Sequence, residues 1–256
     1  MLNLIGLGLW NEEDVSLKGL NNAKNADFVY LEIYTSKWHG NIKKLEKLVN
    51  KKIEILERSD LEEKSENIIE KAKKEDVVIL IPGDPLIATT HISLLLEAKK
   101  KGIKTEVIHN ASIYSAIGEC GLHVYKFGTT ATIPFPEKTG NKTPISTYET
   151  IKENIKKGLH TLLLLDVISE KNKYMTPNEG MQIMLRVEDG KKENVFTNNT
   201  EIIVFARAGS EKSLIIYGQV ENLLNKEFGN PPYVIILPGK LHFTEKEYLE
   251  FHRLKE

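Results

Sequence analysis

A single cysteine, Cys120, in 256 residues leaves no partner for an intramolecular disulfide and no second thiol for a zinc pair. The expectation is a reducing, intracellular setting, with Cys120 as a small apolar filler beside Gly121. Unbroken apolar stretches reach only about five residues against the roughly 20 that a membrane-spanning helix needs, so no bilayer span is expected. Residues Met1 to Trp10 lack the basic start and small-residue cleavage site of a secretory signal, so they read as a first strand and the compartment as cytoplasmic. Neither sign of charge dominates. The 35 Lys+Arg against 36 Asp+Glu leave a net −1, which removes the cationic field behind nonspecific nucleic-acid binding. The seven histidines show no metal-type close pairing, and no Gly-x-Ser-x-Gly occurs. Zinc-enzyme and serine-hydrolase readings therefore lack support, and no metal is expected.

What is present is a packed globular chain: 41% hydrophobic and 28% charged residues exclude disordered and fibrous classes. Short aliphatic runs at Leu2 to Leu7, Phe28 to Leu31, Ile53 to Leu56, Val77 to Ile81 and Glu106 to Ile108 alternate with helical segments, which predicts a mainly parallel five-stranded α/β sheet. Val77 to Ile81, apolar throughout, suits a central strand covered on both faces. Ser59-x-x-Glu62 reads as a capping box before a 68–74 helix, and Gly102 as the stop of the helix carrying Leu94, Leu95 and Ala98. The Thr- and Pro-rich stretch Thr129 to Gly140 breaks the pattern, and the expected division is 1–118 and 119–256. Beyond it Thr161 to Val167, Glu201 to Ala208, Leu214 to Tyr217 and Tyr233 to Leu237 read as strands. Thr176-Pro177-Asn178-Glu179 starts a helix, and the short loop Gly209 to Ser213 implies an antiparallel pair, hence a second α/β domain with a mixed sheet.

Three loops follow strands in the first half, where ligands of open α/β sheets bind. Ile5-Gly6-Leu7-Gly8-Leu9 permits close backbone approach, but the third glycine of a dinucleotide fingerprint is replaced by Asn11, although Glu32 sits where a ribose-binding acid would lie. The alternative is that both glycines merely turn the chain into the following helix. Asp84 of Pro82-Gly83-Asp84-Pro85-Leu86 can hold an ammonium group or ribose hydroxyls, or simply cap a helix that starts at Pro85. Ser112 of Asn110-Ala111-Ser112-Ile113-Tyr114-Ser115 can meet a carboxylate or serve as a plain N-cap.

These stretches, with Ile87-Ala88-Thr89-Thr90-His91, Gly121 to Gly128, Gly158 to Asp166, Ala206-Arg207-Ala208-Gly209-Ser210 and Pro238 to His242, resemble in order and over essentially the whole chain the diphthine synthase family of tetrapyrrole-methylase-like methyltransferases. The resemblance implies two α/β domains with the cofactor, S-adenosylmethionine, in the cleft between them, usually in a homodimer. It implies translation elongation factor 2 as substrate, methylated on the amino group of a 3-carboxy-3-aminopropyl-histidine on the way to diphthamide. Archaeal relatives stop at three methyl groups and eukaryotic ones add another, and both counts stay open. Carried over by position, the cofactor contacts are Leu9, Asp84, Ile87, Ser112 and Ile113, with Leu165, Ala208 and Tyr233 from the second domain. The family often has His after the paired prolines, so a contact at Tyr233 would use backbone atoms.

Methyl transfer from a sulfonium to an amine is an in-line displacement in which positioning and a dry pocket supply most of the acceleration, so no catalytic residue is singled out. Tyr30 to Trp38, with Glu32, Tyr34 and Ser36, resembles a family stretch near the cleft and is a candidate for substrate contact. Two other readings remain open: a precorrin- or uroporphyrinogen-type small-molecule methyltransferase, and a noncatalytic nucleotide-binding module.

Overall fold

Five consecutive apolar residues, Val77–Ile81, form the middle strand of a five-stranded sheet in the computed structural model, which describes residues Met1–Lys255. The chain falls into two compact units that meet in sequence at Ala116 and Ile117, two residues before the expected division.

The first unit runs β1 (Leu2–Gly6), α1 (Leu17–Asn25), β2 (Phe28–Glu32), α2 (Ile42–Val49), β3 (Glu54–Leu56), α3 (Arg58–Glu62) and α4 (Ser65–Ala72). It continues with β4 (Val77–Ile81), α5 (Ile92–Lys100), β5 (Thr105–Ile108) and α6 (Ile113–Ala116). The strand order is β3-β2-β4-β1-β5 and every pairing is parallel, as the alternation predicts. The period-two geometry of a strand explains why β4 has no polar face. Val77, Ile79 and Ile81 pack with Ile68 and Ile69 of α4 and Leu94 and Leu95 of α5, while Val78 and Leu80 pack with Ala23 of α1 and Leu45 and Val49 of α2. Each such burial is worth about 1.5–3 kcal/mol. Gly102, at φ +72°, ends α5 as expected.

The Ser59 capping box is not formed. Helix α3 has already begun at Arg58, capped by Glu57, whose N–H donates to Asp60 Oδ2 at 2.9 Å, and Ser59 lies inside it. The helix expected over 68–74 is α4, which begins at Ser65 and ends at Ala72.

The second unit runs β6 (Ala131–Ile133), α7 (Ile145–Lys156), β7 (Thr161–Leu165), β8 (Val167–Ile168), β9 (Lys173–Tyr174) and α8 (Pro177–Lys191). It closes with β10 (Glu201–Ala206), β11 (Leu214–Gln219), α9 (Val220–Leu223), β12 (Tyr233–Leu237) and α10 (Phe243–Glu250). Its five-stranded sheet, ordered β11-β10-β12-β7-β6, is mixed, and β10 and β11 are antiparallel as the short connecting loop requires. Thr176 and Glu179 form the expected capping box of α8. Strand β6 lies within the stretch read as irregular. It pairs in parallel with β7 at the sheet edge and stops just before Pro134, where a missing N–H does no harm. The small β8–β9 hairpin was not anticipated. Among the described residues, no helix is long and apolar enough to cross a membrane.

Candidate active site

In the first unit the loops after β1, β4 and β5 come together at the carboxyl end of the sheet. Leu7 N–H donates to Ile81 O at 2.8 Å, and Gly8 and Gly83 exchange backbone hydrogen bonds at 3.2 and 2.7 Å. Gly6 makes this possible, since a Cβ there would stand 2.5 Å from Gly83 O, and Gly8 adopts φ +82°. The first glycine therefore serves loop-on-loop approach. Asn110 ties the third loop in, its Nδ2 donating to Gly6 O at 3.0 Å and Asp14 O at 2.9 Å. Asn11, where a fingerprint glycine would stand, caps a short 3-10 turn through Glu13 N–H at 2.9 Å.

Asp84 is buried between these loops. Its Oδ2 accepts from His109 Nδ1 at 2.8 Å and Asn110 N–H at 3.2 Å, and its Oδ1 from Leu86 N–H at 3.0 Å. It closes a turn. Helix α5 begins only at Ile92, so the capping alternative fails there. Ser112 is buried too, and its Oγ accepts from Tyr114 N–H at 3.3 Å while its N–H donates to Ser115 Oγ at 3.1 Å. Leu9, Ile87 and Ile113 are half-buried on the same three loops. None of the loop segments 6–11, 82–91 and 109–116 contains Lys or Arg. A buried carboxylate without Lys or Arg on the loops that hold it suits a cationic or hydroxyl-bearing ligand better than a polyphosphate.

Glu32 is not free for a ribose. It is the last residue of β2 and fully buried, and its Oε1 accepts from the N–H groups of Tyr34 at 2.8 Å and Thr35 at 2.7 Å, its Oε2 from Thr35 Oγ1 at 3.0 Å. Burial pushes its carboxyl up to about 7, against those donors.

In the second unit Leu165 ends β7, Tyr233 opens β12 and Ala208 follows β10. The register pairs Val234 with Leu164 and Ala206 with Tyr233, so all three residues lie at one end of that sheet. Arg207, at φ +54°, fixes the neighbouring loop by donating to the carbonyls of Phe228, Asn230 and Lys212.

A residue that sequence reasoning passed over, Glu245, is the hub of the second unit. It is fully buried and accepts from His123 N–H at 2.8 Å, His160 Nε2 at 3.0 Å, His242 N–H at 2.6 Å and the Lys126 ammonium. His160 takes Gly239 N–H on Nδ1 at 2.8 Å, which assigns its hydrogen to Nε2. Burial alone would raise Glu245, but the His242 N–H, Lys126, the His123 N–H and His160 together bring it down to about 2. The segments 121–128, 158–166 and 238–242 thus meet at a structural hub. The signal that could have found it is His242-x-x-Glu245, a capping box with histidine at the cap.

A family profile described as Tetrapyrrole (Corrin/Porphyrin) Methylases matches residues 1–224. A diphthine synthase of Methanocaldococcus jannaschii is 47% identical over 254 residues, covering 98% of both chains. A crystal structure of a diphthine synthase superposes with a TM-score of 0.86 at 40% identity over 98% of this chain and 95% of the other. A crystal structure from Entamoeba histolytica reaches 0.92 at 35% identity, covering 100% and 99%. The chain belongs to the tetrapyrrole methylase family and is a methyltransferase. Within that family, relatives that it matches along nearly its full length are diphthine synthases, which bears out the resemblance read from its motifs.

Proposed function

We propose that this methyltransferase transfers methyl groups from S-adenosylmethionine to the amino group of a 3-carboxy-3-aminopropyl-histidine on translation elongation factor 2, yielding diphthine. The observation that carries the reading is the 47% identity to a diphthine synthase with almost complete coverage of both chains. The residues present fit the donor. Asp84 keeps acceptor capacity on Oδ1 beyond its one bond to Leu86, and its loops hold no Lys or Arg to favour phosphate. When bound, the donor supplies an electrophilic methyl group on a sulfonium.

The chain's own residues bind and exclude water. Asp84 would accept from the donor's hydroxyl or ammonium groups, Ser112 would offer its hydroxyl hydrogen, since its backbone N–H and carbonyl are already bonded to Ser115 and Ala116, and Leu9, Ile87 and Ile113 would provide apolar contact. The resemblance assigns Leu165, Ala208 and Tyr233 of the second unit as further donor contacts, Tyr233 through backbone atoms, its hydroxyl being bonded to Gly229 O. An acceptor amine must be neutral to attack, and an apolar surrounding lowers its pKa. The protein works as a homodimer in the cytoplasm, with elongation factor 2 as its protein substrate and no nucleic-acid or membrane partner.

The test is labelled methyl transfer to elongation factor 2 carrying the 3-carboxy-3-aminopropyl-histidine, with unmodified factor as control and mass spectrometry to count methyl groups. Three methyl groups on the modified histidine alone is the expected outcome. Absence of transfer with donor binding intact would shift the reading to a small-molecule acceptor.

A further inference from the structure

Pro85 O accepts two side-chain donors from further along its own loop, Thr89 Oγ1 at 2.6 Å and His91 Nδ1 at 3.1 Å, so the 82–91 segment is folded around that carbonyl. A carbonyl only accepts, hence Nδ1 carries the ring hydrogen, and a neutral ring leaves Nε2 as a bare acceptor. His91 is buried, and its Nε2 has no hydrogen-bond partner. The nearest charged atom to it in an ion-pair sense is Oε2 of fully buried Glu32, 3.9 Å away. The Tyr34 hydroxyl is also buried without a partner, and the Tyr34 ring meets the His91 ring edge-on at 6.5 Å. Two acceptors facing each other away from water repel, and a single proton held by either one removes the conflict. The separation exceeds a hydrogen bond, so the coupling is electrostatic.

We propose that Glu32 and His91 are a positioning pair that, by holding one proton between them, keeps the 82–91 loop, and with it Asp84 and Ile87, in the conformation that takes the methyl donor. The proposal rests on reading that loop as the donor site. Neither residue touches the donor. Burial raises Glu32 and lowers His91, so near neutrality the proton resides on the carboxyl. The other groups facing the pair are Tyr34 and, on α3, Arg58 and Glu62. Arg58 opposes the rise at Glu32, Glu62 favours a proton on His91, and the Arg58 guanidinium stands 5.3 Å over the Tyr34 ring. Above about pH 7 the proton leaves, and a buried carboxylate then confronts a bare imidazole nitrogen.

Glu32→Gln separates this from a merely structural role. Its carbonyl oxygen keeps the Tyr34 and Thr35 N–H bonds, and its amide presents a permanent donor toward Nε2. The experiment is calorimetric binding of S-adenosylhomocysteine to the full chain between about pH 6 and about pH 8.5, with amide exchange of Leu86 and Ile87 in the ligand-free protein. Wild type is expected to lose about tenfold in affinity across that range beyond what Glu32→Gln loses. The difference is the readout, because every other group is common to the two proteins. His91→Ala is expected to bind about tenfold more weakly already at pH 6. Exchange at Leu86 and Ile87, corrected for intrinsic rate, should accelerate above pH 7 in wild type and not in Glu32→Gln. Parallel pH profiles in wild type and Glu32→Gln overturn the proposal, and so does unchanged exchange. If wild type fails to bind S-adenosylhomocysteine at any pH, the donor assignment falls, and with it the pair's role toward the donor. The exchange data then decide by themselves whether the pair holds the loop.

Discussion

Each unit buries one glutamate completely, and the two carboxyls stand at opposite ends of the scale: Glu32 in the first is raised to about 7, Glu245 in the second lowered to about 2. Desolvation pushes both upward. What differs is the donor set. Glu245 receives two backbone N–H groups, an imidazole N–H and an ammonium, whereas Glu32 receives two backbone N–H groups and a hydroxyl, with Arg58 acting only through space. A cation in direct contact turns a buried carboxylate into a fixed structural anion. With fewer donors and no cation in contact, Glu32 is left able to change its proton near neutral pH. The lesson is that the second unit uses its glutamate to fasten three segments, while the first keeps its glutamate titratable beside the candidate donor loop.

The hardest way to break this contrast is Glu245→Ala. It strands the Lys126 ammonium and the His160 ring around a void, and should cost about 3–5 kcal/mol, read from urea unfolding of the whole chain.

Next in size is the pH dependence of stability. Glu32, raised on folding, contributes stability that is complete below about pH 4.5 and is lost as pH rises through about 7, an amount of roughly 3 kcal/mol. Glu245, lowered on folding, contributes in the opposite sense: its share is present above about pH 4.5 and disappears as pH falls through about 2. Unfolding curves recorded in steps from acid to neutral pH should show the descending limb in wild type and its loss in Glu32→Gln. A descending limb that survives the substitution would assign it to another group.

Another buried carboxylate, Asp84, sharpens the comparison because its assigned work is binding. Asp84→Asn should weaken S-adenosylhomocysteine by a charge-assisted hydrogen bond of about 1.5–3 kcal/mol, roughly 10- to 150-fold. An affinity within about twofold of wild type, well short of that loss, would remove Asp84 from the donor site. The smallest effect concerns Glu188, which accepts from the Tyr148 hydroxyl and from the N–H groups of Asn194, Val195 and Phe196. Tyr148→Phe takes away one donor of four and should cost about 1 kcal/mol in thermal unfolding.

Much of the fold is legible in the chain because burial on a sheet or helix leaves a period. The five strands of the first unit, the central place of Val77–Ile81, the box at Thr176 and the antiparallel β10–β11 pair all follow from spacing and loop length. The misses share a cause. Strand β6 and the β8–β9 hairpin are two or three residues long, too short to show alternation, and exist because a neighbouring backbone accepts them. Ser59 matches a capping pattern, yet Asp60 competes for the same helix start and wins by reaching Glu57 N–H. The candidate loops were legible by their places after strands, but their internal bonds were not. The sequence marks Gly6 as a place of close backbone approach, and the structure shows that the backbone of Gly83 approaches it.

The sequence by itself determined the strand and helix periods, the absence of a cysteine pair and of long apolar runs, and, through ordered motifs, the family. Only the tertiary structure decided which buried acid is an anion and which can hold a proton. Glu32 and Glu245 are the same type of residue, and the difference lies in whether folding delivers a cation and enough N–H groups to replace lost water, which no local spacing records.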